Sequence, residues 1–214
     1  MRWTHALMPA VALLGACTQA PRTPHSAFPL YADRPDDRQC LAKLGTTRAS
    51  VTPLPDRYFK EGCTQLNTVR LSSLRSDDGS LGVSNLASVG CPLANTFAAW
   101  ARFGVDRAAR QILGSELVRI ETMGSYSCRN VAGSDRLSAH ASARAIDVSG
   151  FVLADGRRIT VLGGWTQGTA AEREFLRVIH TSACRRFGTV LGPNYNADHA
   201  NHLHLESSSS AFCR

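Results

Sequence analysis

Residues 144–162 read RAIDVSGFVLADGRRITVL, and this stretch predicts a β-hairpin. Its two β-branched segments are joined through Asp155-Gly156, and an Asp-Gly pair between apolar runs is a strong hairpin signal. The predicted strands are residues 144–153 and 157–162. The head of the first strand carries the carboxylate of Asp147, which is the first candidate site residue.

Histidines lie on both sides of this hairpin in the sequence. His140 precedes it on a predicted turn, and a later strand candidate, His202-Leu-His-Leu-Glu206, follows it. Side chains alternate along a strand, so His202 and His204 are expected on one face and the two leucines in the core. Imidazole and carboxylate are common zinc ligands. A His…Asp pair followed by His-x-His therefore predicts a metal site with an open fourth position for water.

Other histidines do not show this pattern. His5, His25 and His180 stand alone in the sequence, and a single histidine is more often a surface or core residue than a ligand. Asp147 alone could equally be a hydrogen-bonded core carboxylate. The occurrence of both His140…Asp147 and His202-x-His204 in one chain is what favours a metal site.

The start of the chain predicts export and attachment. Residues 1–16 carry Arg2 and an apolar run too short to span a bilayer, as is typical of a signal peptide. Leu14-Gly-Ala-Cys17 resembles a bacterial lipobox, so we expect a lipid on Cys17 and a lipoprotein on the periplasmic face of the outer membrane. An ordinary signal peptide with an incidental cysteine is the alternative. Residues 17–39 predict a flexible, proline-rich tether.

Six cysteines remain after Cys17, and an even number in an exported chain predicts up to three disulfides. They are Cys40, Cys63, Cys91, Cys128, Cys184 and Cys213. The sequence does not choose among the pairings, although a Cys128–Cys184 bridge would brace the proposed site. Zinc ligation by cysteine is the competing interpretation, and the lack of any C-x-x-C pair disfavours it.

The composition predicts one globular domain over residues 40–214. The net charge of +7 at pH 7 suits an anionic polymer such as a cell envelope. An exported protein meets little nucleic acid, and no nucleic-acid-binding motif is visible.

The remaining patterns predict the fold class. Strands are expected at 67–71 and from Leu117, and an amphipathic helix at 169–187. Leu93, Phe97 and Trp100 follow Pro92 at helical spacing, and a second helix is expected at 105–113 after Gly104. The predicted helices and strands are 67–71, 92–103, 105–113, 117–120, 144–153, 157–162, 169–187 and 202–206. This order predicts an α+β domain, in which helices flank a small antiparallel sheet braced by disulfides.

Several motifs together resemble one bacterial family. They are Gly124-Ser-Tyr-Ser-Cys128-Arg129, Leu137-Ser-Ala-His140, Ala145-Ile-Asp147-Val-Ser-Gly-Phe151, Ala154-Asp-Gly-Arg157, Phe187-Gly-Thr-Val-Leu-Gly-Pro193 and His202-Leu-His204. The chain resembles the extensin-like C-terminal domain family from about Cys40 to Glu206. The motifs are also similar to those of zinc peptidases that include D-Ala-D-Ala carboxypeptidases and lysostaphin, which cut peptide bonds in peptidoglycan.

The resemblance implies roles for the candidate residues. His140, Asp147 and His204 would be the ligands of Zn²⁺, and His202 would assist catalysis beside the metal.

The resemblance also implies a substrate-binding part of the site. Ser138 matches a serine near the position of a substrate carboxylate. Arg136 or Arg129 could hold that carboxylate, because guanidinium binds it in bidentate fashion.

Two positions depart from the zinc-peptidase pattern. Ala143 stands where the carboxypeptidases usually have glycine, and alanine would be strained if the backbone there has positive φ. Asn201 stands where some relatives place an acidic general base. Asp198 or Glu206 could replace that base, or His202 could act alone, with Glu206 also a possible partner of the metal ligands.

Three functions therefore remain open. The first is a zinc-dependent peptidoglycan carboxypeptidase or endopeptidase. The second is a non-catalytic envelope-binding lipoprotein that keeps the fold and, in one version, the metal. The third is a disulfide-stapled structural lipoprotein without a metal.

Overall fold

The computed structural model describes Met1 and residues 34–214. The predicted signal peptide, the lipidation of Cys17 and most of the tether lie outside the described residues. The first helix, α1, spans Pro35–Thr46, so the predicted boundary between residues 39 and 40 falls inside a helix. The folded part therefore begins earlier than the sequence indicated. Across residues 34–214, every helix is too short or too polar to cross a membrane.

The helices of the described part are α1 Pro35–Thr46, α2 Cys91–Trp100, α3 Val161–Gly164 and α4 Ala170–Cys184. α2 continues without a break through wide π-turns as far as Leu113. The separate helix predicted after Gly104 is therefore wrong. A Cβ at Gly104 would lie 2.5 Å from Ser182 Oγ of α4 and 3.0 Å from Trp100 Cδ1. This glycine allows the two helices to approach each other and does not end a helix.

α4 begins with a capping box, in which the side chains of Thr169 and Glu172 each accept a bond from the other's backbone N–H. Phe175 packs edge-on against Phe151 of the sheet, with ring centroids 5.3 Å apart. The indole of Trp100 donates to the Ile179 carbonyl at 3.1 Å. The predicted amphipathic helix is thus confirmed, and it ends at Cys184.

Within residues 34–214 the strands are β1 Ser50–Pro53, β2 Arg57–Tyr58, β3 Thr64–Gln65, β4 Thr68–Arg75, β5 Ser80–Ser84, β6 Val89–Gly90, β7 Leu117–Gly124, β8 Ala145–Leu153, β9 Arg158–Thr160, β10 Thr189–Leu191, β11 Leu203–Glu206 and β12 Phe212–Cys213. Ten of them form one sheet with the order β1-β4-β5-β7-β8-β11-β10-β12, and β6 and β9 pair with β4 and β8. β2 and β3 form a separate hairpin.

The α+β class is confirmed, but the sheet is larger than predicted and mixed. β5 pairs with β7 in parallel, and so does β10 with β12. The predicted hairpin is confirmed by the antiparallel pairing of β8 with β9. β9 is shorter than predicted, because Thr160 ends it and caps α3 through its hydroxyl. β11 begins at Leu203, one residue later than predicted, so His202 lies just before it and His204 within it. β12 follows β11, so the strand with His204 is not the last one.

The six cysteines form three disulfides in the described part: Cys40–Cys91, Cys63–Cys128 and Cys184–Cys213. The Cys128–Cys184 bridge is therefore wrong. Cys63–Cys128 ties the β2–β3 hairpin to the loop 125–138, which precedes His140 in the sequence. The sulfur atoms are bonded to each other, so none is a thiolate ligand in this state.

The pairing of β8 with β11 places the candidate ligands side by side. Asp147 lies opposite His204 in the antiparallel register, and Ile146 lies opposite Leu205. Ile146 and Leu205 have no exposed surface and belong to the core. The alternation predicted for β11 is confirmed, and the same alternation in β8 brings a carboxylate to the histidine face.

Candidate metal site

Three side chains converge where β8, β11 and the turn Ala139–Ser142 meet. His140 Nε2 lies 3.2 Å from His204 Nδ1 and 3.2 Å from Asp147 Oδ2, and His204 Nδ1 lies 2.9 Å from Asp147 Oδ1. Zinc held at its usual distances from nitrogen and oxygen would separate tetrahedral ligand atoms by about 3.3 Å. All three side chains are buried. The structure thus brings together His140, Asp147 and His204, and their spacing fits one zinc ion.

The outer nitrogen of each candidate histidine ligand has a hydrogen-bond acceptor. His140 Nδ1 donates to the main-chain carbonyl of Ser125 at 2.5 Å. His204 Nε2 lies 3.5 Å from the carboxylate of Glu206. Histidine ligands of metals usually donate the other ring N–H to a carbonyl or carboxylate, which fixes the tautomer. His140 and His204 both have such a partner.

The hydrogen bonds of the outer nitrogens determine whether the inner ring nitrogens of His140 and His204 carry a proton or a lone pair. With its outer N–H donated, each neutral ring directs a lone pair toward Asp147, whose ionised carboxylate only accepts. Lone pairs and a carboxylate that face one another inside the protein repel unless a cation lies between them. The donor set therefore fits a metal ion for an electrostatic reason as well as a geometric one.

The pKa shifts describe the same cluster with a proton in place of a metal. Burial would raise the pKa of Asp147, but hydrogen bonds with His140 and His204 hold it well below its usual value. Burial would lower the pKa of His204, but its bonds to Asp147 and Glu206 raise it to about 9. Without a metal, the cluster is therefore held together by an ionised carboxylate and a protonated His204.

His202 lies beside the cluster. Its Nε2 is 3.5 Å from Asp147 Oδ1, and its Nδ1 donates to Asn201 Oδ1 at 2.8 Å. Burial lowers the pKa of His202, so its ring is neutral near pH 7 and the inner nitrogen can accept a proton. Asn201 thus orients His202, a role that the sequence did not predict.

The acidic residues considered as a replacement base have other positions. Glu206 bonds the outer nitrogen of His204, as expected for a partner of a ligand, and this bond lowers its pKa. Asp198 is exposed on the turn Ala197–His199. Of the groups considered as a general base, His202 is therefore the one whose free ring nitrogen faces the cluster.

The turn that carries His140 has a capped start and a strained end. Ser138 Oγ accepts from the backbone N–H of His140 at 3.3 Å, which makes Ser138 the N-cap of the turn. Its predicted contact with a substrate carboxylate stays a prediction. Ala143 has φ 53° and ψ 29°, the left-handed conformation that favours glycine. The strain suspected at Ala143 is therefore present, and the turn still delivers His140 to the cluster.

His199 lies beside the cluster, and the sequence analysis assigned it no role. Its ring centroid lies 5.0 Å from that of His202 and 5.9 Å from that of His204, and Tyr195 packs edge-on against it. His199 Nδ1 donates to Asn196 at 2.5 Å. Burial and its two histidine neighbours lower its pKa to about 4. The position of His199 three residues before His202 was the available signal.

Three arginines lie within electrostatic reach of the cluster. Arg129 is exposed and close enough to His202 to help lower its pKa, and Arg136 and Arg144 act in the same direction on Glu206. Both predicted arginines are thus near the site, and Arg144 adds a third. A group with negative charge that approaches the cluster meets positive potential.

The family comparison agrees with the motifs. Residues 38–214 match the family described as Extensin-like protein C-terminus, so the chain belongs to this family. No curated protein and no solved structure matches the chain significantly. The wider likeness to zinc peptidases rests on the sequence motifs alone.

Proposed function

We propose that this member of the extensin-like C-terminus family is a zinc-dependent peptidase that cleaves peptides of peptidoglycan, as a carboxypeptidase or an endopeptidase. One observation carries the proposal: His140 Nε2, Asp147 and His204 Nδ1 lie within 3.2 Å of one another, and the outer nitrogens of both histidines are committed to acceptors. Such a set holds zinc through three ligands and leaves one position for chemistry.

The protein's own residues would divide the work. Bound zinc would supply a Lewis acid that polarises the peptide carbonyl. His202, neutral and directed inward by Asn201, takes the proton of the attacking water and returns it to the leaving amine. His140 and His204 would offer their inner nitrogens to the metal, because their outer nitrogens are bonded to the Ser125 carbonyl and to Glu206.

The substrate class follows from charge and predicted location. Stem peptides of peptidoglycan end in carboxylates, and the positive charges of Arg129 and Arg136, which act on His202 and Glu206, support the binding of such a group. A net charge of +7 favours an anionic envelope polymer. We propose that a lipid on Cys17 keeps the domain at the periplasmic face of the outer membrane, next to this polymer.

A second function is favoured by Asn201. This side chain cannot accept a proton usefully, and it is already bonded to His202. If His202 cannot act alone, the chain would bind peptidoglycan through the same metal-holding cleft without cleaving it.

Digestion of purified sacculi separates the two functions. Wild type, His202→Ala and His204→Ala are compared by mass spectrometry of the released muropeptides. Loss of terminal D-alanine indicates a carboxypeptidase, and loss of cross-links indicates an endopeptidase. The peptidase proposal predicts turnover by wild type and almost none by either variant. Equal products from wild type and His204→Ala would overturn it.

The arginine contribution can be measured in the same assay. Arg129→Gln should raise KM more than it lowers kcat, because the guanidinium binds the substrate and does not touch the reacting bond. Arg70→Gln, an exposed arginine on β4, is the matched control and should change neither value.

A further inference from the structure

A second group of side chains with possible metal-ligand atoms lies where α4 meets β12, the last strand in the order of the sheet. His180 and Cys184 are one turn apart on α4, and Cys213 lies on β12. One ligand atom from each of the three lies within 4.8 Å of the others, and all three residues are half-buried. In the present state the two sulfur atoms form a disulfide.

His180 already has the tautomer that a metal ligand needs. Its Nε2 donates to the main-chain oxygen of Arg214 at 3.1 Å. Its Nδ1 therefore carries the lone pair, and this atom lies 3.9 Å from Cys184 Sγ. Trp165 packs edge-on against the ring, with centroids 5.6 Å apart. The imidazole is thus oriented toward the sulfur atoms by contacts that do not involve the disulfide.

We propose that the Cys184–Cys213 disulfide masks a second metal site, and that reduction by a dithiol opens a His180, Cys184, Cys213 site for Zn²⁺ or another thiophilic divalent cation. In the exchange, a dithiol thiolate attacks one protein sulfur and the S–S bond breaks. The first protein thiolate leaves, and a mixed disulfide joins the reductant to the other protein sulfur. The second thiol of the reductant then attacks the reductant sulfur of this mixed disulfide and displaces the remaining protein thiolate, which leaves a cyclic disulfide and two protein thiols. Two electrons pass from the dithiol to the protein disulfide. On binding, the cation replaces the two thiol protons, which pass to the solvent.

The sulfurs need only side-chain movement to become ligands. Zinc–sulfur bonds of about 2.3 Å place two thiolates roughly 3.7 Å apart, and two sulfurs with one imidazole form a known zinc ligand set. The three atoms stay together without the disulfide, because β12 remains bonded to β10. Phe212 N donates to the Gly188 carbonyl at 2.9 Å, and Arg214 N donates to the Val190 carbonyl at 3.0 Å.

This disulfide is also the bridge that a reductant can reach from either side. Cys184 and Cys213 are both partly exposed. Each of the other two bridges contains one cysteine with no exposed surface, Cys91 or Cys63. A thiolate can therefore attack this bridge at either residue, whereas Cys63–Cys128 offers only the exposed Cys128.

Cobalt titration of the full-length protein tests the proposal, because sulfur–cobalt bonds give an intense near-ultraviolet band that nitrogen and oxygen ligands do not. A phosphine reductant opens the disulfide and is removed before Co²⁺ is added. Reduced wild type should gain one equivalent of cobalt with this band, and oxidised protein should not. His180→Ala should bind that equivalent at least roughly tenfold more weakly, since one of three ligands is lost.

Two controls keep the result specific. The double variant Cys184→Ser, Cys213→Ser should show no sulfur–cobalt band after the same treatment, and Zn²⁺ should protect both cysteines of wild type from alkylation. An equal band in reduced wild type and in the double variant would overturn the proposal, and so would unchanged affinity in His180→Ala. Circular dichroism is recorded before cobalt is added, and unfolding on reduction would also contradict the proposal, which requires the folded frame. Because this band needs sulfur, its outcome is independent of the His140, Asp147, His204 cluster.

Discussion

The two faces of strands β8 and β11 differ in what holds them together. On one face Ile146 and Leu205 are opposite each other with no exposed surface, and burial of such a side chain stabilises the fold by about 1.5–3 kcal/mol. On the other face Asp147 and His204 are opposite each other, and their facing acceptor atoms need a proton or a metal ion between them. The same register therefore produces an apolar face that is stable by itself and a polar face that depends on that proton or metal ion.

Alanine substitution of two adjacent residues, one on each face, should show the largest effect, which is a difference in zinc affinity. His204→Ala should weaken zinc binding by more than about 100-fold, because it removes a ligand and not only a partner of one. Leu205→Ala, on the opposite face, should still bind one zinc at temperatures well below its unfolding transition. Competition with a chromogenic chelator measures both affinities. Similar losses in the two variants would mean that the faces are not chemically distinct.

The stability of the same two variants should show the reverse order. Leu205→Ala should lower the free energy of unfolding by about 2–5 kcal/mol, since it leaves a cavity in the core. In the metal-free protein above pH 9, where His204 has lost the proton that pairs it with Asp147, His204→Ala should cost much less. Urea unfolding in the presence of a chelator gives both values. A larger loss in His204→Ala would contradict the division between the two faces.

The outer partner of His204 should matter less than the ligand itself. Glu206→Gln should weaken zinc binding by about 10–100-fold, because a neutral amide holds the outer N–H less firmly than a carboxylate. Glu121→Gln is the control, since Glu121 bonds Arg158 on another part of the sheet. Unchanged affinity in Glu206→Gln would show that the 3.5 Å contact has no role in metal binding.

The metal-free protein should lose stability as the pH rises toward 9. The pKa of His204 is raised to about 9 by its bonds to Asp147 and Glu206, against the lowering by burial. A raised pKa stabilises the fold fully below the unfolded value of 6.5, and this stabilisation is lost as the pH rises through about 9. Urea unfolding at several pH values should show the decline in wild type and a weaker one in His204→Ala. Parallel curves would refute the protonated cluster.

The strained turn should give the smallest effect. Ala143→Gly should raise the free energy of unfolding by up to about 1 kcal/mol, because glycine adopts φ 53° without strain. Ala141→Gly, a buried alanine inside the same turn, should lower it, since glycine gains nothing there and loses entropy. Thermal unfolding of both variants gives the comparison, and a loss of stability in Ala143→Gly would show that packing of its methyl group outweighs the strain.

The sequence predicted which residues of the candidate site share a strand face better than it predicted the long-range contacts around them. Period-two alternation separated His204 from Leu203 and Leu205, and the Asp155-Gly156 turn predicted the pairing of β8 with β9. Both are local patterns, and they set the direction of side chains wherever the strands lie. The resemblance of the motifs then selected His204, and not His202, as the proposed ligand.

Long-range contacts were not predictable in the same way. A glycine such as Gly104 is locally typical of a helix end. Its actual role, the close approach of two helices, depends on Ser182 in a helix far along the chain. The pairing of Cys184 with Cys213 depends on β12 lying beside β10, which no local pattern indicates. The acceptors for His140 and His202, the Ser125 carbonyl and the Asn201 amide, depend on backbone geometry. These predictions failed because the contacts join residues that are close in space but that no local sequence pattern relates.

The most direct test of the proposed metal centre is calorimetric titration of zinc into wild-type protein that a chelator has stripped, with the disulfides intact and the pH near neutral. We predict one equivalent bound, with no binding at that site in His140→Ala, Asp147→Ala and His204→Ala and retained binding in His202→Ala. No binding by folded wild type would contradict the account, and so would binding that survives in His204→Ala.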